Sequence, residues 1–187
     1  MLTNNIQNPF LKNLVEWAIA AVLAFALFLF IRHFVFRVAD VNGHSMEPTL
    51  SHGDFVLLSK VGYWFGEPQS GDIIAFPFRG DPSYHYIKRI IGTPGDVIDF
   101  QNGSFIVNGA LPYYDFPSDG LLSFVSPGDI EFPFTVDDGL FFVLGDNRGS
   151  SKDSRYQAVG LISKQDMLGR AVFRIWPLNR IGVVSPP

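Results

Sequence analysis

The 187-residue sequence contains no cysteine, which excludes disulfide bonds, thiolate nucleophiles and cysteine-ligated zinc. Charged residues are scarce, at 17% of the chain, and the 14 basic residues are scattered among 18 acidic ones. A net charge of −4 without a basic stripe argues against nucleic acid as a partner. No P-loop, HExxH or EF-hand pattern occurs, so we expect no nucleotide, metal or other cofactor.

Phenylalanine is abundant, with 19 residues, most of them in short stretches broken by Gly, Pro, Asn and Asp. This texture is typical of a mainly β domain with many turns. Asn102-Gly103 and Asn108-Gly109 suit type I′ turns and predict an antiparallel meander, whereas residues 111–139 predict an extended loop or irregular hairpin. Candidate strands are 54–60, 72–77, 84–91, 97–101, 105–107 and 140–144.

One long apolar run lies near the N-terminus. Residues 17–31 carry no polar side chain, and the apolar span of 14–36 is about 34 Å long as a helix, enough to cross a bilayer. Ala24 and Ala26 form an A-x-A pattern that would suit a cleavable signal peptide. They lie in the middle of the run, however, where a cleavage region should be polar, so the span predicts an uncleaved transmembrane anchor.

The sequence therefore predicts a short N-terminal tail at 1–13, an anchor at 14–36 and one β-rich domain at 37–187. Residues 37–40 are expected to be a short link. Lys12 precedes the span while Arg32 and Arg37 follow it, so charge bias does not favour an N-terminus inside the cell.

A chain without cysteine needs Ser or Thr as a nucleophile, activated by a base. His44 adjoins Ser45 and would point to the opposite face, while His52 and His85 remain geometrically possible. Lysine is the other candidate, provided that burial lowers its pKa to near 7 or 8. Lys88 lies in a strand-like run with isoleucines around it and is the best placed lysine.

Four stretches in this order, behind an N-terminal anchor, resemble the signature boxes of bacterial type I signal peptidases. The resemblance implies an antiparallel β-rich catalytic domain and a serine endopeptidase that removes signal peptides from exported preproteins after Ala-x-Ala-like sites. The stretches are GHSMEPTL at 43–50, SGDIIAF at 70–76, YIKRIIGTPGD at 86–96 and LGDNRGSSKDSR at 144–155.

The resemblance also implies roles for individual residues. Ser45 would attack the scissile carbonyl, Lys88 would act as general base, and Ser151 would orient the lysine. Residues of the fourth stretch would support the site structurally, with Asp153 and Arg155 as an ion pair that Arg89 could join. These supporting residues are Asp146, Asn147, Arg148, Asp153 and Arg155.

The oxyanion hole departs from the pattern of some family members, which carry a serine two positions before the nucleophile. This chain has Gly43 there, so the backbone N–H of Ser45 is the expected donor, with a backbone or water donor at Gly43 as a second candidate. Shallow apolar pockets would select small substrate residues. Their expected lining is Met46, Leu50, Tyr86 and Ile87, although core packing explains Met46 and Leu50 equally well.

By resemblance the chain is a single-pass protein of the plasma membrane with its catalytic domain on the extracytoplasmic side. Its partners would be preproteins carrying signal peptides and the lipid bilayer. Three alternatives stay open from the sequence: an organelle inner-membrane peptidase, a Ser/Lys self-cleaving regulator, and a non-catalytic membrane-tethered β-domain. The microsomal type of signal peptidase has His where this chain has Lys88.

Overall fold

The computed structural model describes residues 8–63, 66–112 and 125–184, with the backbone alone at Arg32 and His33. Residue contacts divide the chain into two compact units, Met1–Phe36 and Arg37–Pro187. Two sequence-based predictions, the start of the N-terminal tail and residues 113–124 of the irregular segment, lie outside the described residues.

The first unit is an apolar helix, α1 (Pro9–Phe30), which begins earlier than the predicted span. Asn8 explains that start, because its side chain accepts the Phe10 N–H at 3.0 Å and proline occupies the first helical position. A π-helical turn, Ile31–Val35, follows α1. Among the described residues α1 alone is long and apolar enough to cross a membrane, and none of its side chains is buried.

The second unit is built from antiparallel strands in two sheets. The larger sheet has the order β1-β2-β10-β3-β4-β8-β9, with β11 beside β10, and the smaller has the order β6-β5-β7. The strands are β1 (Phe36–Asp40), β2 (Phe55–Ser59), β3 (Ile73–Phe78), β4 (Asp81–Gly92), β5 (Val97–Gln101), β6 (Ser104–Val107), β7 (Phe134–Thr135), β8 (Leu140–Leu144), β9 (Ile162–Ser163), β10 (Gly169–Trp176) and β11 (Gly182–Val183).

This architecture confirms the predicted antiparallel, mainly β fold and corrects it locally. Each of the six predicted strands is present, and the two Asn-Gly pairs adopt positive φ at both residues, as type I′ turns require. The predicted link at 37–40 is instead part of β1, which pairs with β2.

Strand β4 determines where the chemistry can lie. It pairs with β3 through Ile74 opposite Lys88, but β8 accompanies it only from Arg89 onward, where Leu144 is the partner. Strand β8 therefore ends next to Lys88. The residues of β4 before Arg89 have no partner from β8. Alternation along β4 separates Tyr86 and Lys88 from Ile87, which packs in a different core cluster from Tyr86.

Candidate active site

The Lys88 side chain reaches the Ser45 hydroxyl directly. Its Nζ donates to Ser45 Oγ at 2.7 Å and to the backbone carbonyl of Ile87 at 3.0 Å. Lys88 is only 3% exposed, whereas Ser45 is half-buried and borders a cleft. The serine hydroxyl thus contacts an amine on one side and faces an open space on the other.

Burial lowers the pKa of Lys88 from the usual 10.5 to about 8. Desolvation is the main cause, and it outweighs the carboxylates of Asp153 and Asp146, which favour the charged form. The guanidinium of Arg155 acts in the same direction as burial. At pH 7 about one Lys88 side chain in ten is then an uncharged amine, which is the form that can accept a proton.

The Ser45 backbone is held by the loop that follows β8. Asn147 donates its backbone N–H to the Ser45 carbonyl at 3.0 Å and its side-chain amide to the His44 carbonyl at 3.1 Å. Gly145 lies so close that an added Cβ would be 2.4 Å from the Ser45 carbonyl oxygen and 2.2 Å from Ser151 Oγ. Glycine is therefore required at this position by the close approach of two segments.

A buried ion pair joins β4 to the same loop. Arg89 binds Asp146 through two parallel hydrogen bonds of 2.8 and 2.7 Å, and both side chains are fully buried. Thr49, four residues after the nucleophile candidate, donates to Asp146 at 2.6 Å. Arg89 projects from β4 toward Asp146 and also donates to the carbonyl of Gly71 at 2.9 Å, whereas the sequence had suggested that it could join Asp153 and Arg155.

Asp153 and Arg155 form a second buried pair, also with two hydrogen bonds, of 2.7 and 2.9 Å. Asp153 additionally accepts the Gly145 N–H at 3.0 Å, and Arg155 donates to the Ser151 carbonyl at 2.9 Å. Arg148 donates to the Gly145 carbonyl at 2.9 Å. Together these contacts fix the path of the backbone from 145 to 155.

Ser151 lies in the same loop, buried beside Gly145. Its hydroxyl makes no hydrogen bond with the described residues. Its predicted role in orienting Lys88 stays a prediction.

Gly43 has φ of +105°, a conformation that favours glycine, and its N–H donates to His52 Nδ1 at 3.2 Å. The Gly43 N–H is therefore engaged, whereas the Ser45 N–H has no acceptor among the described residues.

The histidines near the serine bind other groups. His44 Nδ1 lies 2.8 Å from a carboxylate oxygen of Glu47. Within the described part of the chain, Lys88 is the side chain that hydrogen-bonds Ser45, and no histidine does so.

The cleft in front of Ser45 has a volume of about 370 Å³. Its walls come from residues 40–46, from residues 85–88 of β4, and from Ser150 and Lys152. Three of the four predicted pocket residues, Met46, Tyr86 and Ile87, line it. Leu50 does not: it is fully buried in the core, which is the alternative that the sequence had left open.

Among the described residues, no group of three or more His, Asp or Glu side chains is arranged to hold a metal ion. The two buried carboxylates nearest to the serine and lysine already bind arginines. The chemistry available in the cleft is thus a hydroxyl, an amine of lowered pKa and an unoccupied backbone N–H.

Comparison with known proteins identifies the family. Residues 14–176 match the sequence model described as signal peptidase, peptidase S26. The chain belongs to the signal peptidase I family. It is 38% identical over 178 residues to signal peptidase I S of Bacillus subtilis strain 168, covering 91% of this chain and 93% of the relative. It is 33% identical over 184 residues to signal peptidase IB of Staphylococcus aureus, covering 90% and 92%.

A crystal structure of a signal peptidase I from Enterococcus faecalis V583 is 30% identical, with a TM-score of 0.44, and covers 56% of this chain and 97% of that one. Membership of the signal peptidase I family makes the chain a peptidase, that is, a hydrolase.

Sequence reasoning missed two residues around this site: Thr49 donates to Asp146, and Lys152 lines the cleft. His52, which the sequence left open as a base, instead accepts the Gly43 N–H. Thr49 lies inside the first box, four positions after Ser45, and that closeness was an available signal. Lys152 carries no pattern that marks it, because its position depends on how the loop after β8 folds back.

Proposed function

We propose that this chain is a membrane-bound signal peptidase I that removes signal peptides from exported preproteins by hydrolysis after Ala-x-Ala-like sites. Ser45 is the nucleophile and Lys88 the general base. The observation that carries the proposal is the 2.7 Å contact between Ser45 Oγ and a lysine amine whose pKa burial lowers to about 8. Similarity to named signal peptidases over nine-tenths of the chain supports the substrate class.

The hydrogen bonds of Lys88 define how the proton moves. An uncharged amine has two N–H bonds and one lone pair. With one N–H on the Ile87 carbonyl, the lone pair can accept the Ser45 O–H as the hydroxyl oxygen attacks the scissile carbonyl. The resulting ammonium then gives this proton to the leaving amine, which leaves an acyl-enzyme on Ser45. In the second half of the reaction, Lys88 takes a proton from a water molecule whose oxygen attacks the acyl carbon, and the ammonium returns that proton to Ser45 Oγ as the ester bond breaks.

The tetrahedral intermediate carries a negative charge on the former carbonyl oxygen. The backbone N–H of Ser45 is the donor we assign to it, because it has no other acceptor among the described residues. Gly43 N–H is bound to His52, so a second donor there requires that contact to open or a water to bridge it. Loop contacts from Asn147 and Gly145 keep the Ser45 backbone in place.

Small side chains before the scissile bond fit the cleft surface formed by Met46, Tyr86 and Ile87. Met46 is 1% exposed and Ile87 8% exposed, so they offer a shallow apolar floor instead of a deep pocket. An extended substrate can also pair with the edge of β4 that lacks a β8 partner. Shallow walls exclude large residues sterically while giving alanine little binding energy.

Two apolar features support the bilayer as a partner and α1 as a single-pass anchor. One is α1 itself. The other is a set of exposed apolar side chains where β2, β10 and β11 meet. These are Phe55, Trp176, Leu178, Ile181 and Val183, and such a surface suits a membrane interface. The extracytoplasmic placement of residues 37–187 as the catalytic domain is part of the proposal and rests on the family resemblance.

The proposal is tested by incubating a preprotein that carries an Ala-x-Ala site with wild type, Ser45→Ala and Lys88→Ala. Each substitution should lower the cleavage rate by at least about 10⁴-fold, since nucleophile and base act as a unit. Lys164→Ala is the matched control, because Lys164 is a partly exposed lysine that pairs with Glu67.

The alternatives give different results. A non-catalytic tethered domain keeps its function in both variants, and a self-cleaving regulator cuts its own chain while leaving the preprotein intact. Measuring the mass of both the enzyme and the preprotein after incubation distinguishes these outcomes. Undiminished cleavage by Ser45→Ala would contradict the proposal.

A further inference from the structure

Lys152 is a cation in the cleft wall that the proposed reaction does not use. It lines the cleft together with Ser45 and Lys88, and its side chain is exposed. No carboxylate of the described residues pairs with it, whereas the cleft-remote Lys164 pairs with Glu67 at 2.8 Å. The contact the structure gives Lys152 is with an aromatic ring: its Nζ lies 5.6 Å from the centre of Phe78.

Backbone alternation explains why Lys152 faces the cleft. Ser151 has extended φ and ψ of −127° and 131°, so neighbouring side chains point to opposite sides. Ser151 and Asp153 are buried, which leaves Lys152 between them directed outward. The backbone next to Lys152 is also held: Arg155 donates to the Ser151 carbonyl at 2.9 Å, and the Asp153 side chain accepts the Gly145 N–H at 3.0 Å.

The backbone that carries Lys152 is therefore held before any substrate arrives, and the ammonium lies beside an aromatic ring. That ring, Phe78, stacks on the ring of Tyr86 with centres 4.9 Å apart. The centre of the Tyr86 ring lies 5.0 Å from Lys88 Nζ. Two aromatic rings in contact thus connect the Lys152 ammonium to the Lys88 amine. A charge held in place loses less conformational entropy when it binds an opposite charge.

We infer that Lys152 is a specificity-determining residue that favours substrates with an acidic side chain close to the scissile bond. This inference rests on the proposed function of the same cleft. An ammonium without a partner can form an ion pair with a carboxylate of an extended peptide lying along the cleft. A lysine at the same substrate position is disfavoured by like-charge repulsion.

The test uses the full-length protein in neutral detergent and a set of peptides that differ at one residue. Glu, Gln or Lys is placed in turn at each of the three positions on either side of the scissile bond, and kcat/KM is measured. At one position, or at two adjacent ones, wild type should prefer Glu over Gln by about two- to fivefold. The gain should appear in KM, because the ion pair forms equally in the ground state and the transition state.

The variants isolate the charge of Lys152. Lys152→Gln should bring the Glu-to-Gln ratio to one, Lys152→Glu should invert it, and Lys152→Arg should retain it. Lys164→Gln is the matched control with the same change in net charge, and it should keep the wild-type ratio. Raising the salt concentration should shrink the wild-type preference, since the pair is solvent-accessible.

An unchanged Glu-to-Gln ratio in Lys152→Gln at all positions would overturn the inference. The same holds if Lys152→Gln lowers cleavage only with vesicles of anionic lipid and regardless of peptide charge, since Lys152 would then serve the bilayer. Cleavage of the Gln peptides by wild type, and its loss in Ser45→Ala, reports separately on the proposed function. Absence of Ser45-dependent cleavage of every peptide would overturn both.

Discussion

Lys88 illustrates at the residue scale the free-energy cost of burying an amine inside a protein. A fall in pKa from 10.5 to about 8 corresponds to about 3 kcal/mol against the charged form. The penalty applies in full below pH 8, where folded and unfolded chains both carry the proton. Between pH 8 and 10.5 the unfolded chain holds more protons than the folded one, so stability rises with pH.

We expect Lys88→Met to remove this dependence. From pH 8 to 10.5 the free energy of unfolding of wild type should increase by up to about 3 kcal/mol relative to that of Lys88→Met. Denaturant titrations of both proteins at several pH values measure it. If the free energies of unfolding of the two proteins changed with pH in parallel, Lys88 would not be held in a desolvated state.

Gly145 supplies a prediction about close approach. In Gly145→Ala the new Cβ would overlap the Ser45 carbonyl oxygen and the Ser151 hydroxyl, so the Ser45 backbone must move. A displacement of about 1 Å near the reacting atoms costs about 10²-fold, and we expect kcat to fall at least that much. The matched control is Gly182→Ala, where a Cβ meets no atom within 4 Å. Similar activity of the two variants would contradict the description of this contact.

Individual residues of the site were predictable to different degrees. Ser45 and Lys88 could be named because the four stretches carry them in a fixed order, and burial of Lys88 followed from the isoleucines around it. The partner of Arg89 could not be predicted. The partner depends on which carboxylate the register of β4 and β8 brings next to the Arg89 guanidinium. Asp146 and Asp153 lie only seven positions apart in sequence, so the sequence does not distinguish them.

At the scale of elements, the Arg89–Asp146 pair connects β4 with the loop after β8. Removing one partner of a buried pair leaves an uncompensated charge, which typically costs about 3–5 kcal/mol. We expect Asp146→Ala to lower the free energy of unfolding by that amount, and Thr49 loses its acceptor as well. Equilibrium unfolding measures the change.

Glu67→Ala is the control for Asp146→Ala, since it breaks the exposed pair with Lys164. Surface pairs contribute less than about 1 kcal/mol, so this variant should stay near wild type. Equal effects of the two substitutions would mean that the Arg89 pair is no more important than a surface contact.

Strands were predictable where their apolar pattern is regular. The bounds of β5 and β8 agree with the prediction at both ends; β8 is an uninterrupted apolar run, and Asn102-Gly103 marks the end of β5. Strand β10 was missed because register shifts between Ala171 and Phe173, and between Arg174 and Trp176, interrupt its alternation. Strands β7, β9 and β11 have two residues each, too few for any periodic signal.

For the whole molecule, the proposed anchor should act on substrate encounter and not on chemistry. Two proteins held in the same bilayer meet at a higher effective concentration than one in solution and one in a membrane. A chain consisting of residues 37–187 should therefore cleave a membrane-embedded preprotein at least about tenfold more slowly than the full chain.

The same truncated chain should cleave a short soluble peptide at a rate close to that of the full chain. Measuring the membrane-embedded preprotein in vesicles and the soluble peptide in buffer separates the encounter of enzyme with substrate from the chemical step. Equal loss on both substrates would indicate that residues 1–36 are needed for the fold or the site itself.

The central claim is that an uncharged Lys88 amine activates Ser45, and the pH dependence of kcat/KM on a soluble peptide tests it most directly. Because the uncharged form increases as pH rises through the lysine pKa, the rate should climb tenfold per unit at low pH and level off with a midpoint near 8. In Lys88→Ala, kcat/KM should not rise with pH in this way. A midpoint near 6.5 that persists in Lys88→Ala would assign the base to a histidine and contradict the account.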